Sequence, residues 1–276
     1  MKKFAVIGDP IGHSLSPRMH QAAIHALKIS ASYEALHIPE DQISKIKKYQ
    51  KEFTGFNVTI PHKQSVMKYV DQLTPTAKSI GAVNTLYQTK GRWIGDNTDA
   101  PGFLLALKKS FPGHKIKGSY AVVFGAGGAA YAVIYALLQE KISKIYLFNR
   151  TPANAKKLIK KMGKSGEKVK YLAPDSDLVL QLAIGVSKWV INTTSLGMGE
   201  LKNSSPLPKG VKLNRQHCVI DLIYNPKQTL FLKQAKKQGA QTANGFWMLV
   251  FQGALAFQKF LSRRPSISVM ANAIKK

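Results

Sequence analysis

Hydrophobic positions along this chain come in short bursts that switch between two periods. Phe4-Ala5-Val6-Ile7 is an apolar run closed by Gly8-Asp9-Pro10, the pattern of a short buried strand that ends in a loop. Behind Ser14-Leu15-Ser16-Pro17, the residues Met19, Ala22, Ala23, Ala26 and Leu27 recur at helical spacing, with Ser16 placed as N-cap and Pro17 as first helical residue. A strand over 33–37 and a helix over 39–51 follow. From Gly55 to Lys63, Phe56, Val58 and Ile60 alternate with Asn57 and Thr59, so one face of the strand is apolar and the other polar. Thr74-Pro75 opens a helix to Ile80. Residues 82–87 and 92–95, joined through Lys90-Gly91, read as a hairpin. Asp99 sits where it could cap the apolar helix 103–109.

The second half alternates more regularly. Residues 118–124 form an apolar strand, Gly125-Ala126-Gly127-Gly128-Ala129-Ala130 a glycine turn, the run to Leu138 a helix, and Lys144–Phe148 a second strand. A basic helix to Lys161, a strand over 168–172, a helix over 178–184 and a strand over 189–191 continue the alternation. A strand over 218–222 and a helix over 228–238 extend it. Such alternation predicts an α/β fold with a parallel sheet covered on both faces. Phe111-Pro112-Gly113-His114-Lys115 reads as a domain boundary. The expected division is residues 1–110, rejoined by C-terminal helices over 243–276, against a Rossmann-type domain over 111–242. The long apolar helix Phe246–Leu261 has no strand partner of its own and is expected to pack back on the first domain.

Strand, glycine turn, helix and strand is the opening unit of a dinucleotide site. Gly125 permits the tight turn, Gly127 lets a pyrophosphate approach the backbone, and Ala130 allows helix and strand to pack closely. The helix start offers free N–H groups to phosphate. Sites for the unphosphorylated cofactor end the second strand in Asp or Glu; here Asn149-Arg150-Thr151 stands at that place. A carboxylate would repel a 2′-phosphate, whereas arginine grips one, so the pattern points to NADP(H). On the other side, Lys63 lies just past a strand's carboxyl end, where open α/β sheets bind ligands. Ser14 and Ser16 beside a helix start could seat a carboxylate.

Composition narrows the field. With 276 residues, 45% hydrophobic and 9% aromatic, the chain is globular and long enough for two domains. The opening apolar run is too short for a signal peptide, and no stretch approaches membrane-spanning length. Cys218 is the single cysteine, which fits a reducing cytoplasm. The net charge of +27 comes from 41 Lys and Arg against 14 Asp and Glu. Its dense runs, 45–48 and 156–161, interleave with apolar residues at helical spacing, as a solvated helix face does. A basic nucleic-acid-binding protein is the competing class, but no recognition motif accompanies the charge. The histidines show no metal-ligand spacing, and no metal is expected.

Taken in order, these motifs resemble the shikimate dehydrogenase family over nearly the whole chain. The residues that carry the resemblance are Ser14–Pro17, Phe56–Lys63, Gly81–Thr85, Gly95–Asp99, the glycine turn, Asn149–Thr151, Asn192–Met198, Asp221–Pro226 and Asn244-Gly245 to Gln252. The resemblance implies NADPH-dependent reduction of 3-dehydroshikimate to shikimate, a cytoplasmic step of aromatic biosynthesis, by a monomer or homodimer that needs neither nucleic acid nor membrane. By similarity, Ser14 and Ser16 take the substrate carboxylate with Tyr224 nearby, while Asn57, Thr59, Asn84, Asp99 and Gln252 hold ring hydroxyls. Lys63 and Asp99 are the catalytic pair. Gly125, Ala126, Gly127, Gly128 and Ala129 with Asn149, Arg150 and Thr151 bind NADP(H), and Leu222 and Gly245 lie near its nicotinamide end. One departure stands out: the family often places a second arginine three residues after Thr151, where this chain has Asn154. A quinate/shikimate dehydrogenase accepting NAD is the alternative within the enzyme class.

Overall fold

The computed structural model describes residues 1–275. Among them the backbone forms two compact units, one comprising Met1–Gly102 and the residues from Val250 onward, the other Phe103–Leu249.

The first unit holds β1 (Lys2–Gly8), α1 (Ser16–Ala26), β2 (Ala31–His37), α2 (Ile46–Tyr49), β3 (Gly55–Val58), β4 (Gln72–Leu73), α3 (Pro75–Ile80), β5 (Thr85–Thr89) and β6 (Arg92–Asp96). They form a six-stranded sheet in the order β2-β1-β3-β5-β6-β4. β1 runs parallel to both β2 and β3, while β3, β5 and β6 are antiparallel to their neighbours in that series. Phe4 lies opposite both Tyr33 and Gly55, and Val6 opposite Asn57. Phe4, Val6, Tyr33 and Asn57 therefore share one face, since side chains alternate along a strand. The opposite face carries Ala5, Ile7, Phe56 and Val58 into a core with Ile38, Ile46, Val66, Leu86 and Trp93.

Two expectations change here. Ile60 does not continue the apolar face of β3: the strand ends at Val58, and Ile60 is 68% exposed in the turn before Pro61. The helix expected over 39–51 is a 3-10 turn over Glu40–Lys45 followed by the single turn α2. Its buried residues are Ile43 and Ile46, an i, i+3 spacing that suits the tighter helix. The lysines at 45, 47 and 48 are exposed around them.

Helix α4 (Asp99–Ser110) begins in the first unit and continues into the second, which then holds β7 (Tyr120–Phe124), α5 (Gly128–Gln139), β8 (Lys144–Phe148), α6 (Pro152–Lys161) and β9 (Val169–Leu172). There follow α7 (Asp177–Val186), β10 (Trp189–Asn192), β11 (Cys218–Asp221), α8 (Leu230–Lys237) and β12 (Gln241–Ala243). All six strands are parallel, in the order β12-β11-β10-β7-β8-β9. Ranked within the unit, that is the doubly wound order 3-2-1-4-5-6, with its switch point between β7 and β10. β12 was not evident in the sequence. It has no apolar run and is a strand because its backbone pairs with β11 at the sheet edge.

Helix α9 (Phe246–Leu261) crosses from the second unit back to the first. There Phe260 stacks on Phe4 at 5.0 Å. Gly102 allows α4 and α9 to meet: a Cβ on it would fall 2.8 Å from the backbone nitrogen of Gln252. The last helix, α10 (Ile267–Ala273), is capped by Ser266 and accepts a 2.8 Å bond from Arg18 on α1.

Candidate active site

Asn84 organises the polar side chains of the first unit. It sits just before β5, 2% exposed, and spends its amide in several directions. Nδ2 donates to Asp99 Oδ1 at 2.8 Å and Thr98 Oγ1 at 3.0 Å, with Gln252 Oε1 at 3.4 Å. Its Oδ1 accepts from the Thr98 backbone at 2.7 Å and from Thr85 Oγ1 at 2.9 Å. Asp99 Oδ2 then accepts from Lys63 Nζ at 2.6 Å, in an ion pair whose side chains are 17% and 8% exposed. Each carboxylate oxygen of Asp99 is thus held by a different partner, which fixes the plane of the carboxylate and the position of the ammonium.

The local sequence makes this possible. Asp99 is not the cap of α4, as its position suggested. Asn97 Oδ1 accepts from the backbone N–H groups of Asp99 and Ala100 at 3.0 and 3.3 Å, satisfying the helix start and leaving the Asp99 carboxylate free for Lys63. Asn97 is itself anchored by Nδ2 on the Ala82 carbonyl at 3.0 Å. Lys63 is set by its neighbour His62, which is fully buried and bonded through Nε2 to the Ile38 carbonyl at 2.6 Å.

Ser16 is not an N-cap either. It is the first residue of α1, Leu15 occupies the cap position without a side-chain bond, and the Ser16 backbone N–H is 3.3 Å from Ser14 Oγ. The helix starts one residue early because Leu15 already has helical backbone angles, φ −83° and ψ −6°. Both serines remain at the helix start, Ser16 buried and Ser14 partly exposed. Asn57 is buried, and Thr59 lies partly exposed just beyond β3. The structure therefore brings Lys63, Asn84, Asp99 and Gln252 into direct contact. It adds Asn97, Thr85 and Thr98, which the sequence reading passed over; an Asn two residues before Asp99 at a helix start was the available signal for the first.

In the second unit the glycine turn joins β7 to α5. Gly125 has φ +99°, and a Cβ there would strike Thr193 and Thr194 of the loop after β10. Gly127 is the N-cap of α5 with no side chain to fill it, and Cβ atoms at Gly127 or Gly128 would point into open space. The first N–H groups of α5 are thus left accessible beside Ala126 and Ala129, which is what a bound pyrophosphate requires. After β8, Asn149 Nδ2 turns back onto the Thr151 carbonyl at 2.8 Å, and Thr151 takes the N-cap position of α6. Arg150 between them is exposed, with no protein partner among the described residues. These residues fit a phosphorylated dinucleotide.

At the end of β11, Asp221 is fully buried and holds the two loops at the carboxyl ends of β10 and β11. It accepts from Thr229 Oγ1 at 2.6 Å, Asn192 Nδ2 at 3.0 Å and the Ile223 backbone at 3.1 Å. Burial pushes its carboxyl up to about 6, against the lowering effect of those three bonds. This hub, too, was missed in the sequence. Leu222 and Gly245 touch: a Cβ on Gly245 would lie 1.9 Å from the Leu222 carbonyl oxygen, so only glycine fits. Tyr224 follows on the same loop, and burial raises its hydroxyl above the ordinary tyrosine value. Among the described residues no group of three His, Cys, Asp or Glu side chains could hold a metal ion. Among the described residues, no helix is long and apolar enough to cross a membrane.

Comparison with known proteins decides the family. Residues 6–86 match the shikimate dehydrogenase substrate binding domain, 105–204 the shikimate/quinate 5-dehydrogenase domain, and 245–275 the shikimate 5′-dehydrogenase C-terminal domain. A shikimate dehydrogenase (NADP(+)) of Carboxydothermus hydrogenoformans is 40% identical over 275 residues, covering 99% of this chain and 96% of its own. The chain belongs to the shikimate dehydrogenase family. Another member, from Methanocaldococcus jannaschii, is also 40% identical, over 99% of this chain and 96% of its own. The crystal structure of a Thermus thermophilus shikimate dehydrogenase in complex with NADP(H) and shikimate superposes with a TM-score of 0.87 at 38% identity. It covers 100% of this chain and 98% of its own. The family's two-domain α/β architecture is therefore the architecture of this chain.

Proposed function

We infer that this protein is an NADP-dependent oxidoreductase that reduces 3-dehydroshikimate to shikimate, reversibly, as a step of aromatic amino-acid and chorismate biosynthesis. The observation that carries the reading is the Lys63–Asp99 pair, 2.6 Å apart and anchored by Asn84. Family membership over almost the whole chain supports the substrate class and the cofactor.

NADPH, when bound by residues 125–129 and 149–151, supplies the hydride. The protein's own residues supply binding, orientation and a proton. As the substrate ketone becomes an alkoxide, Lys63 Nζ gives up one proton to that oxygen, becomes a neutral amine and regains a proton from water. In the oxidative direction the neutral amine removes the hydroxyl proton. Asp99 keeps the lysine in place through Oδ2, and Asn84 keeps Asp99 in place through Oδ1. Ser14 and Ser16, at the start of α1, take the substrate carboxylate, with Tyr224 contributing beside it. Asn57, Thr59, Asn84, Asp99 and Gln252 hold the ring hydroxyls. Arg150 binds the cofactor's 2′-phosphate, and Leu222 and Gly245 lie at its nicotinamide end. Tyr224 and Gly245 apart, residues 1–110 and 243–276 serve the substrate in this division of labour and residues 111–242 the cofactor.

The reaction belongs in the cytoplasm, where the buried Cys218, its thiol pushed up to about 11 mainly by burial, stays reduced. The working protein is a monomer or homodimer with no role for nucleic acid. The decisive assay follows reduced-cofactor absorbance with shikimate and quinate, each with NADP and NAD. Shikimate with NADP is expected to give the highest kcat/KM by at least about tenfold, the worth of one charge-assisted hydrogen bond. Equal or better turnover of quinate with NAD would overturn the assignment.

A further inference from the structure

Asn57 is held from behind by Tyr33, a residue outside the site just described. Its side chain is 5% exposed, and its two ends meet different partners. Nδ2 lies 3.3 Å from the Asn84 carbonyl oxygen and 3.5 Å from Thr85 Oγ1, while Oδ1 lies 2.7 Å from the Tyr33 hydroxyl. The Asn84 carbonyl can only accept. A flipped amide would set two oxygens against each other there, so the nitrogen must face Asn84 and the oxygen must face Tyr33. Tyr33 is consequently the donor in this bond.

The tyrosine is held firmly in place as that donor. Its ring lies across the β1 row from Asn57, and His20 of α1 stacks on it with centroids 4.1 Å apart and planes 8° apart. Phe257 and Phe260 of α9 are the other ring contacts of His20, at 6.0 and 6.2 Å. Burial raises the Tyr33 hydroxyl well above its ordinary value, which keeps its proton on. The second Nδ2 hydrogen of Asn57 has only Thr85, at the outer limit of a hydrogen bond, as a protein partner.

We propose that Tyr33 is a positioning residue for the reaction: its buried hydroxyl fixes the Asn57 amide so that Asn57 meets the substrate as a hydrogen-bond donor. The proposal rests on the reading of Asn57 as a ligand of a substrate ring hydroxyl. It predicts that this hydroxyl acts as an acceptor toward Asn57, its own proton being directed elsewhere.

Tyr33→Phe removes the donor and keeps the ring and its stacking. Measured against shikimate and NADP, the variant is expected to raise the KM for shikimate about tenfold, with kcat within about threefold and the KM for NADP unchanged. In an Asn57→Ala background the same substitution should change the shikimate KM by less than about twofold, because its effect passes through Asn57. An unchanged shikimate KM in Tyr33→Phe overturns the proposal. So does a full effect of Tyr33→Phe in the Asn57→Ala background, or a parallel rise in both KM values, which a general loosening of the fold would give. Should Asn57→Ala alone leave the shikimate KM unaltered, the reading of Asn57 itself has failed, and the proposal fails for that separate reason. Asn57→Asp keeps an acceptor for Tyr33 and removes the donor, so it tests the same point if Tyr33→Phe does not fold. Its shikimate KM must rise by at least as much, and an unchanged value overturns the proposal.

Discussion

The buried His20 makes a quantitative prediction about stability against pH. It is 1% exposed, neither ring nitrogen has a hydrogen-bond partner, and burial pushes its pKa down to about 3. In the unfolded chain an imidazole titrates near 6.5. The unfolded state therefore binds the extra proton first. Stability from keeping this ring neutral is fully present above about pH 6.5 and drains away as pH falls towards about 3. Linkage puts the loss at about 2 kcal/mol by pH 5 and about 3 kcal/mol by pH 4. His20→Phe retains an aromatic plate against Tyr33 and cannot titrate. Urea unfolding followed by circular dichroism at pH 8, 6, 5 and 4 should show the variant losing that much less than the parent as pH falls. The other titrating groups are common to both proteins, so the difference isolates His20. At pH 8 the variant should be more stable by about 1 kcal/mol, because buried nitrogens without partners have been removed. Parallel stability curves for the two proteins would refute the reasoning.

Other substitutions test the catalytic reading directly. Lys63→Ala should lower kcat by roughly 10²–10⁴-fold while the shikimate KM moves only a few-fold, as befits a proton donor; unimpaired turnover would remove Lys63 from the chemistry. Arg150→Gln should raise the KM for NADP about tenfold or more and leave both the NAD reaction and the melting temperature unchanged, since the guanidinium is exposed and has no protein partner among the described residues. A parent enzyme that uses NAD and NADP equally would show that Arg150, with Asn154 in place of a second arginine, does not discriminate. Gly245→Ala must push the Leu222 carbonyl aside and should destabilise by about 1–3 kcal/mol in thermal or urea melts; a neutral effect would mean the loops after β11 yield easily.

The second unit was the more legible in sequence, for a physical reason. Its central strands β7, β10 and β11 are short apolar runs buried on both faces, and the turn at residues 125–128 ties a local motif to a topology. β12 escaped because Gln241-Thr242-Ala243 owes its extended shape to pairing with β11, a partner about twenty residues away in the chain and invisible in its own pattern. The candidate site divides in the same way. Lys63 stood out by its place after a strand. Its partner Asp99 came only with the family resemblance and not from local pattern, because the pairing spans 36 positions and Asn84, which holds the other carboxylate oxygen, reaches Asp99 from the start of a distant hairpin. Local rules failed where distant side chains compete for the same group. Asp99 looked like a cap, yet Lys63 and Asn84 claim its carboxylate and Asn97 caps in its stead. Ser16 looked like a cap, yet it is already the first residue of the helix, Leu15 takes the cap position and Ser14 Oγ faces the Ser16 N–H. The lysine runs were legible as solvent-facing: Lys156, Lys157, Lys160 and Lys161 are exposed around the buried Ala155 and Leu158 of α6.

The path of the chain also sets an order of assembly on the ribosome. The second unit, Phe103–Leu249, is one uninterrupted stretch and has all its strands once β12 has emerged. The first unit is split, and its later piece is synthesised last: Gln252 beside Asn84, Lys259 paired with Asp96 at 3.0 Å, Phe260 on Phe4 and Ala273 against Arg18 all wait for it. Domains form as units during translation. The second unit can thus mature on a nascent chain whose first unit is still open along α1 and β1. That unit closes only when α9 and α10 have emerged, so a nascent chain exposed from the ribosome only as far as about residue 250 would display a finished second unit beside an unfinished first one.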